Sequence, residues 1–294
     1  MQIAVLVLAH KINDQFNRLV SCMADDFDVY IHIDKKTQNK SLKCKRDNVR
    51  IFSEYPVYWG SYNVVLATLF LMGQASRRNS YDRYLIISGE DVPLKNNLFI
   101  KEFFRGNISE YFYYSKLPHP VWIGNGGFDR LEYYYPNLLR DSDPGGSYKK
   151  VSKWLEEKNK KKLIPLLKKI NLKRSLNFVP YGGTNWMDLT DECISQILKY
   201  IDRNSSYLNR FKYTRLPEEI FFHTLICNFT SGLTIEKNVL RYIDWRTGPE
   251  FPRNMRVDDY DRLIKSDKLF ARKFNQDIDS EIIDMIYDHN DNYL

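Results

Sequence analysis

Cysteine is scarce in this chain. Cys22, Cys44, Cys193 and Cys227 stand far apart and form no C-x-x-C pair, which excludes a paired-cysteine zinc site and a dense disulfide framework and favours a reducing cytosol. Long apolar runs are missing as well. No stretch reaches the ~20 residues of a membrane span, and Met1 to Ala9 lacks the basic leader and cleavage site of a signal peptide. The expectation is a cytoplasmic protein, or one held peripherally at a membrane. No internal repeat or low-complexity segment is present, which excludes solenoids and arrays.

What is present is ample core material. At 294 residues, 43% hydrophobic and 15% aromatic, the chain is expected to form one domain, residues 1–294. A net charge of +7 and a pI near 9.0 favour an anionic partner: a nucleotide diphosphate, an acidic glycan, a membrane surface or nucleic acid. Nucleic acid is the weakest of these, because the lysines are spread along helices among acidic residues rather than clustered with exposed aromatics. A non-catalytic module binding an anionic polymer stays as the reading from another class.

Strands and helices alternate in the first third. Ile3 to Ala9 is a continuous apolar run of strand length, as expected of a strand buried on both faces, and Asp14 to Met23 follows as a helix. Phe27 to Ile33 is a second strand with Asp34 at its carboxyl end, and Val49 to Phe52 a short third. Ser61 to Ala75 has helical spacing, and Tyr84 to Ser88 is a strand running into Gly89-Glu90-Asp91-Val92-Pro93. Such alternation predicts an α/β fold with a mostly parallel sheet, whose ligands bind beyond the carboxyl ends of the strands. Asp34 and Asp91 both sit at such ends.

The middle is less regular. Tyr133 to Tyr135 reads as an aromatic segment leaving into an exposed turn at Asp143 to Gly146. Val151 to Ile170 is a basic amphipathic stretch interrupted by Pro165, either a solvated face or a weak attachment to anionic lipid. In the last third Thr190 caps a helix to Ile201, and Pro217 to Ile226 reads as a helix with proline at its first position. Glu218 and Glu219 then fall in its first turn, where the helix dipole favours a charged carboxylate by ~0.3–1 kcal/mol. First-turn glutamates also occur simply because they complement the dipole. A strand over Leu240 to Trp245, a turn at Gly248-Pro249, then Phe251-Pro252-Arg253 and Leu269 to Phe274 complete the chain.

The ordered strings Tyr58-Trp59-Gly60-Ser61, Leu85 to Lys95, Gly183-Thr184-Asn185-Trp186, Leu216 to Thr224, Tyr242-Ile243-Asp244-Trp245 and Leu269 to Phe274 resemble glycosyltransferase family 14. That family includes core 2 and I branching β-1,6-N-acetylglucosaminyltransferases and peptide O-xylosyltransferases. The resemblance runs from Ile3 to the C-terminus. It implies a GT-A-like fold with flanking helices, residues 1–115 forming the nucleotide-sugar-binding half and 116–294 the acceptor-binding and catalytic half, that inverts the anomeric carbon of a UDP-sugar donor without a divalent metal or other cofactor.

The residues offer a separate check on the metal. A metal-using enzyme of this fold should carry a D-x-D pair at the carboxyl end of a strand. Here Asp26-Phe27-Asp28 opens a strand, and Asp141-Ser142-Asp143, Asp259-Tyr260-Asp261 and Asp277-Ile278-Asp279 fall in turns or helices. Cations must then hold the leaving diphosphate, each supplying ~4 kcal/mol at ~4 Å and an effective dielectric near 20. The resemblance assigns this to Arg253 and Lys273, with Arg256 as a substitute for the first. It makes Glu219 the general base, with Glu218 its competitor, brings Asp34 to the nucleotide, and sets Asp91 near the donor sugar or the acceptor side of the cleft. A turn-stabilising aspartate is the other reading of Asp91. Trp59, Trp122, Trp186 and Trp245 are possible sugar-stacking faces. UDP-N-acetylglucosamine is the first expectation for the donor and UDP-xylose the second, since Phe221-Phe222-His223-Thr224 resembles the xylosyltransferases. The acceptor is expected to be a glycan or lipid-linked glycan.

Overall fold

A computed structural model describes residues 1–38, 41–135 and 164–292. The predicted turn at Asp143 to Gly146 and the stretch from Val151 to Leu163 lie outside the described residues. The continuous apolar segments form the strands β1 (Ile3–Ala9), β2 (Asp28–Ile33), β3 (Val49–Phe52) and β4 (Arg83–Ser88). All four lie parallel, with Val7 of β1 opposite both Ile31 and Ile87. They are apolar throughout because both faces are covered. On one side Phe16 and Leu19 of α1 (Asp14–Ala24) pack on Val5 and Val7; on the other Val65 and Met72 of α2 (Tyr62–Arg78) pack on Leu6 and Ile86.

The remaining strands are β5 (Val92–Pro93), β6 (Ser109–Tyr111), β7 (Tyr114–Lys116), β8 (Tyr181–Gly183), β9 (Asp188–Thr190), β10 (Thr234–Glu236), β11 (Arg241–Ile243) and β12 (Phe270–Arg272). The main sheet has seven strands in the order β10-β6-β9-β4-β1-β2-β3. β9 runs antiparallel to both neighbours, so the sheet is mixed but mostly parallel. Arg83, fully buried, donates to the carbonyls of Ser109, Asn107 and Asp188 and so ties β4, β9 and the approach to β6 together. A small sheet, β11-β12-β5, stands beyond the end of β4 and carries the Val92, Ala271 and Phe274 core with Ile282 and Ile286 of the last helix, α6 (Glu281–Asn292).

Between these strands the chain forms the helices α3 (Asn97–Phe104), α4 (Asp191–Arg203) and α5 (Phe221–Phe229). Thr190 caps α4 as expected, its hydroxyl accepting from the Cys193 N–H at 3.2 Å. Pro217 to Ile226 is not one helix. Pro217–Glu219 forms a 3-10 turn, Ile220 leaves helical geometry at φ −128°, and α5 starts only at Phe221. Tyr133 is buried rather than leaving the body, because Leu167 packs on it. Pro165 lies in the first turn of a short helix, Ile164–Lys169, where it is tolerated. No described helix is long and apolar enough to cross a membrane.

Candidate active site

The carboxyl ends of β2, β1 and β4 lie side by side, and each carries charged or titratable groups. Asp34 follows β2. Its Oδ1 accepts from the N–H groups of Lys36 (3.0 Å) and Val57 (3.1 Å), and its Oδ2 from the Lys36 ammonium at 2.8 Å, which also lies over the Tyr58 ring. His10 follows β1. Burial lowers its pKa, and among the charges acting on it are Glu90, Lys273 and Asp34, so the ends of β1, β2 and β4 share one electrostatic neighbourhood with Lys273.

After β4 the chain turns through Gly89-Glu90-Asp91. Asp91 is completely buried: its carboxylate accepts from the N–H and hydroxyl of Ser88 at 3.0 and 2.8 Å and lies 3.4 Å from Arg272 Nε. The carboxylate is spent on the turn and on Arg272, because β5 and β12 pair antiparallel and bring the two side chains together. Burial raises its pKa against the pull of Arg272.

Arg272 stacks 4.0 Å over the Trp186 ring, and Lys273 Nζ lies 3.5 Å from Glu90. The Lys273 carbonyl accepts from the Met255 N–H at 2.8 Å, so the Arg253 and Lys273 segments run side by side. The Arg253 guanidinium is held between Asp244 (3.1 Å) and Asp259 (2.5 Å). Asp244 in turn is kept well below the usual carboxylate range by hydrogen bonds from the Thr247 hydroxyl and from backbone N–H groups of Arg246 and Thr247. Arg256 is exposed and opens the turn whose N–H groups Asp259 accepts from. Arg253, Arg272 and Lys273 therefore each face a carboxylate that orients their donors.

Glu219 stands on a neighbouring segment. Leu216, at φ 49°, donates its N–H to the Gly60 carbonyl at 3.0 Å and thereby sets the 3-10 turn against the loop that carries Trp59. Glu218 is buried, whereas the Glu219 side chain is 28% exposed and accepts from Arg130 at 2.5 Å. Glu219 precedes α5 and does not lie in its first turn. Burial raises its pKa, and Arg130 opposes the rise. Arg130 lies 4.1 Å over Trp122, which stacks on His119.

Two links connect Glu219 with the cation cluster. Gly60 and Tyr58 lead from Leu216 to the Asp34 loop. One turn beyond Glu219, His223 is buried against Gly183, and Gly183 leads through Thr184 and Asn185 to Trp186 beneath Arg272. Burial pushes the His223 pKa down to about 4, so the ring is neutral. Of the four tryptophans, Trp59 and Trp245 are exposed, Trp122 is half-buried and Trp186 buried.

Arg272, Glu90, Arg130 and His10 had no role in the sequence reading. Arg272 and Glu90 lie inside strings that carry the resemblance, directly beside Lys273 and Asp91. Arg130 gave no signal, since its partner is 89 residues away. Asp26-Phe27-Asp28 opens β2, and Asp277-Ile278-Asp279 lies in a turn. Among the described residues no three or more His, Cys, Asp or Glu side chains converge as metal ligands.

A sequence model of the family described as Core-2/I-Branching enzyme matches residues 3–264. Xylosyltransferase 2 of Homo sapiens is 24% identical over 323 residues, covering 98% of this chain and 34% of that protein. Beta-glucuronosyltransferase GlcAT14B of Arabidopsis thaliana is 31% identical over 127 residues, 39% of this chain and 29% of that one. The chain thus spans about a third of the length of the xylosyltransferase it matches. A solved structure of galactosyltransferase LgtC with donor and acceptor sugar analogs aligns over 98% of this chain and 95% of its own, at TM-score 0.38 and 8% identity. The family match runs through β1, the Asp91 turn, the Glu219 turn and Arg253, and the chain belongs to the Core-2/I-Branching enzyme family of glycosyltransferases.

Proposed function

We propose that the chain moves a sugar from a UDP-sugar to a hydroxyl of a glycan or lipid-linked glycan, inverting the anomeric carbon and using fixed cations in place of a divalent metal. One observation carries this reading. Carboxylate-oriented cations follow β11 and β12, and a partly exposed glutamate stands in the turn that Leu216 ties to the Gly60 loop.

In this reading Asp34 meets the nucleotide, while Arg253 and Lys273 receive the diphosphate. Their donors are already aimed by Asp244, Asp259 and Glu90, so little reorganisation is needed as charge develops on the leaving group. The acceptor oxygen attacks the anomeric carbon from the face opposite UDP. Its proton passes to Glu219 as the new carbon–oxygen bond forms and the bond to UDP breaks. A single direct displacement inverts the centre.

UDP-N-acetylglucosamine is the first donor to test. UDP-xylose is the second reading, favoured by Phe221-Phe222-His223-Thr224 and by the xylosyltransferase that matches nearly the whole chain. The test is a screen of UDP-sugars for slow hydrolysis with and without EDTA. UDP release from one donor, unchanged by EDTA, is expected; loss of release in EDTA rules out the metal-independent step. A protein that releases no UDP, is not stabilised by UDP, and shifts its melting temperature on an oligonucleotide belongs to the non-catalytic class instead.

A further inference from the structure

Two adjoining segments beside the Glu219 turn expose large aliphatic side chains. Val121 and Ile123 are 79% and 80% exposed, the highest values for large apolar residues among those described. They flank Trp122, which lies under Arg130. The backbone behind them is left-handed at Gly124, Asn125, Gly126 and Gly127, with φ of 72°, 53°, 58° and 95°, and the His119 N–H donates to the Gly126 carbonyl at 2.8 Å. This tight loop holds the two aliphatic side chains out instead of letting them fold onto the body.

The second segment is the helix Ile164–Lys169 with the turn after it, which exposes Leu166 (53%), Ile170 (58%) and Leu172 (53%). It is pinned to the helix after the Val121 loop by Lys168 to Asp129 at 2.6 Å and Lys173 to Glu132 at 2.9 Å. The exposed cations of this face are Lys168, Lys169 and Lys173; Arg130 is held by Glu219, and Arg174 donates to the carbonyls of Arg130, Tyr133 and Arg210.

The chemistry of this face selects its partner. Saccharides stack on aromatic rings, and branched aliphatic side chains offer no such face. Aliphatic side chains held out among lysines match the boundary between lipid headgroups and acyl chains.

We propose that this face rests on an anionic bilayer, with Val121 and Ile123 entering the headgroup layer and Lys169 and its neighbours meeting lipid phosphates, so that the acceptor reaches Glu219 from a lipid carrier. The membrane contact stands by itself; the role of the acceptor rests on the transferase reading above.

The experiment is co-sedimentation with vesicles of phosphatidylcholine alone or with added phosphatidylglycerol, at low and high salt. The protein is expected to pellet with the anionic vesicles and to be released by salt. V121S/I123S should weaken partition by about tenfold or more, and Lys169→Gln by about fivefold, with the UDP-induced thermal shift unchanged in both. The proposal is overturned if the wild-type protein stays in the supernatant or if V121S/I123S partitions like wild type. UDP-sugar hydrolysis and the UDP thermal shift, both read without vesicles, report on the transferase reading separately. Their loss with vesicle binding intact sinks that reading alone.

Discussion

Arg130 donates to the Glu219 carboxylate at 2.5 Å, from a five-residue helix, Phe128–Glu132, that also carries Asp129. Burial raises the Glu219 pKa from 4.5 and the guanidinium opposes that rise. A base works only when deprotonated, so activity should fall as pH drops through a value above 4.5. Arg130→Met removes the opposing charge and should move that acid limb to still higher pH, with a larger loss at pH 6 than at pH 8. Rate profiles of transfer against pH check this, and an unmoved limb would count against Glu219 as the base.

Glu219→Gln keeps the shape and removes the proton acceptor. Transfer should fall by about 10²–10⁴-fold, while stabilisation by UDP stays as in wild type. Equal turnover in the variant would mark the chain as a UDP-binding protein whose chemistry lies elsewhere.

Lys273→Ala removes the third-exposed ammonium that faces Glu90. UDP affinity should drop by about tenfold or more, equivalent to roughly 1.4 kcal/mol. The wild-type thermal shift with UDP should persist in EDTA and be largely lost in the variant. Calorimetric titration gives the affinities directly.

Asp188 and Arg241 form an ion pair in the interior, both side chains essentially inaccessible. Arg241 also donates to the Ile86 carbonyl at 3.2 Å, which joins β11 to the main sheet. Asp188→Asn leaves a buried guanidinium without its charge partner and should cost about 3–5 kcal/mol. Denaturant unfolding should show this as a lower midpoint at unchanged slope.

Gly183 has no room for a side chain. An added Cβ would lie 1.9 Å from the Tyr113 carbonyl oxygen and 2.8 Å from His223 Nε2. Gly183→Ala should therefore destabilise by more than the roughly 1–3 kcal/mol of ordinary overpacking. It should also depress transfer, since His223 and Trp186 are displaced together. Gly106→Ala is the control: a Cβ there meets nothing within 4 Å, leaving only the cost of its φ of 68°.

The long parallel strands were legible because burial on both faces turns them into uninterrupted apolar runs. β1 and β3 match their predicted limits at both ends, and β2 starts one residue later. β5 to β12 have two or three residues each, too few for any periodicity to register, and β11 is accordingly half the predicted length. The predicted Pro217–Ile226 helix failed at Ile220, where the Leu216 contact to Gly60 dictates a different entry angle from the one α5 needs. At the site, Asp34 and Asp91 were visible as aspartates at strand ends. What distinguishes them is not in their local sequence: one faces a loop ammonium, the other lies beneath an arginine from β12.

The insertion of β9 between β4 and β6 has a biosynthetic consequence. A nascent chain that has emerged as far as Lys116 holds β4 and β6 before their shared neighbour β9 (Asp188–Thr190) has been translated. The edge of β4 then keeps unpaired N–H and carbonyl groups until residues 188–190 arrive. Chaperone engagement during that interval is expected. A gene split between the two halves should yield insoluble fragments that become soluble only on co-expression.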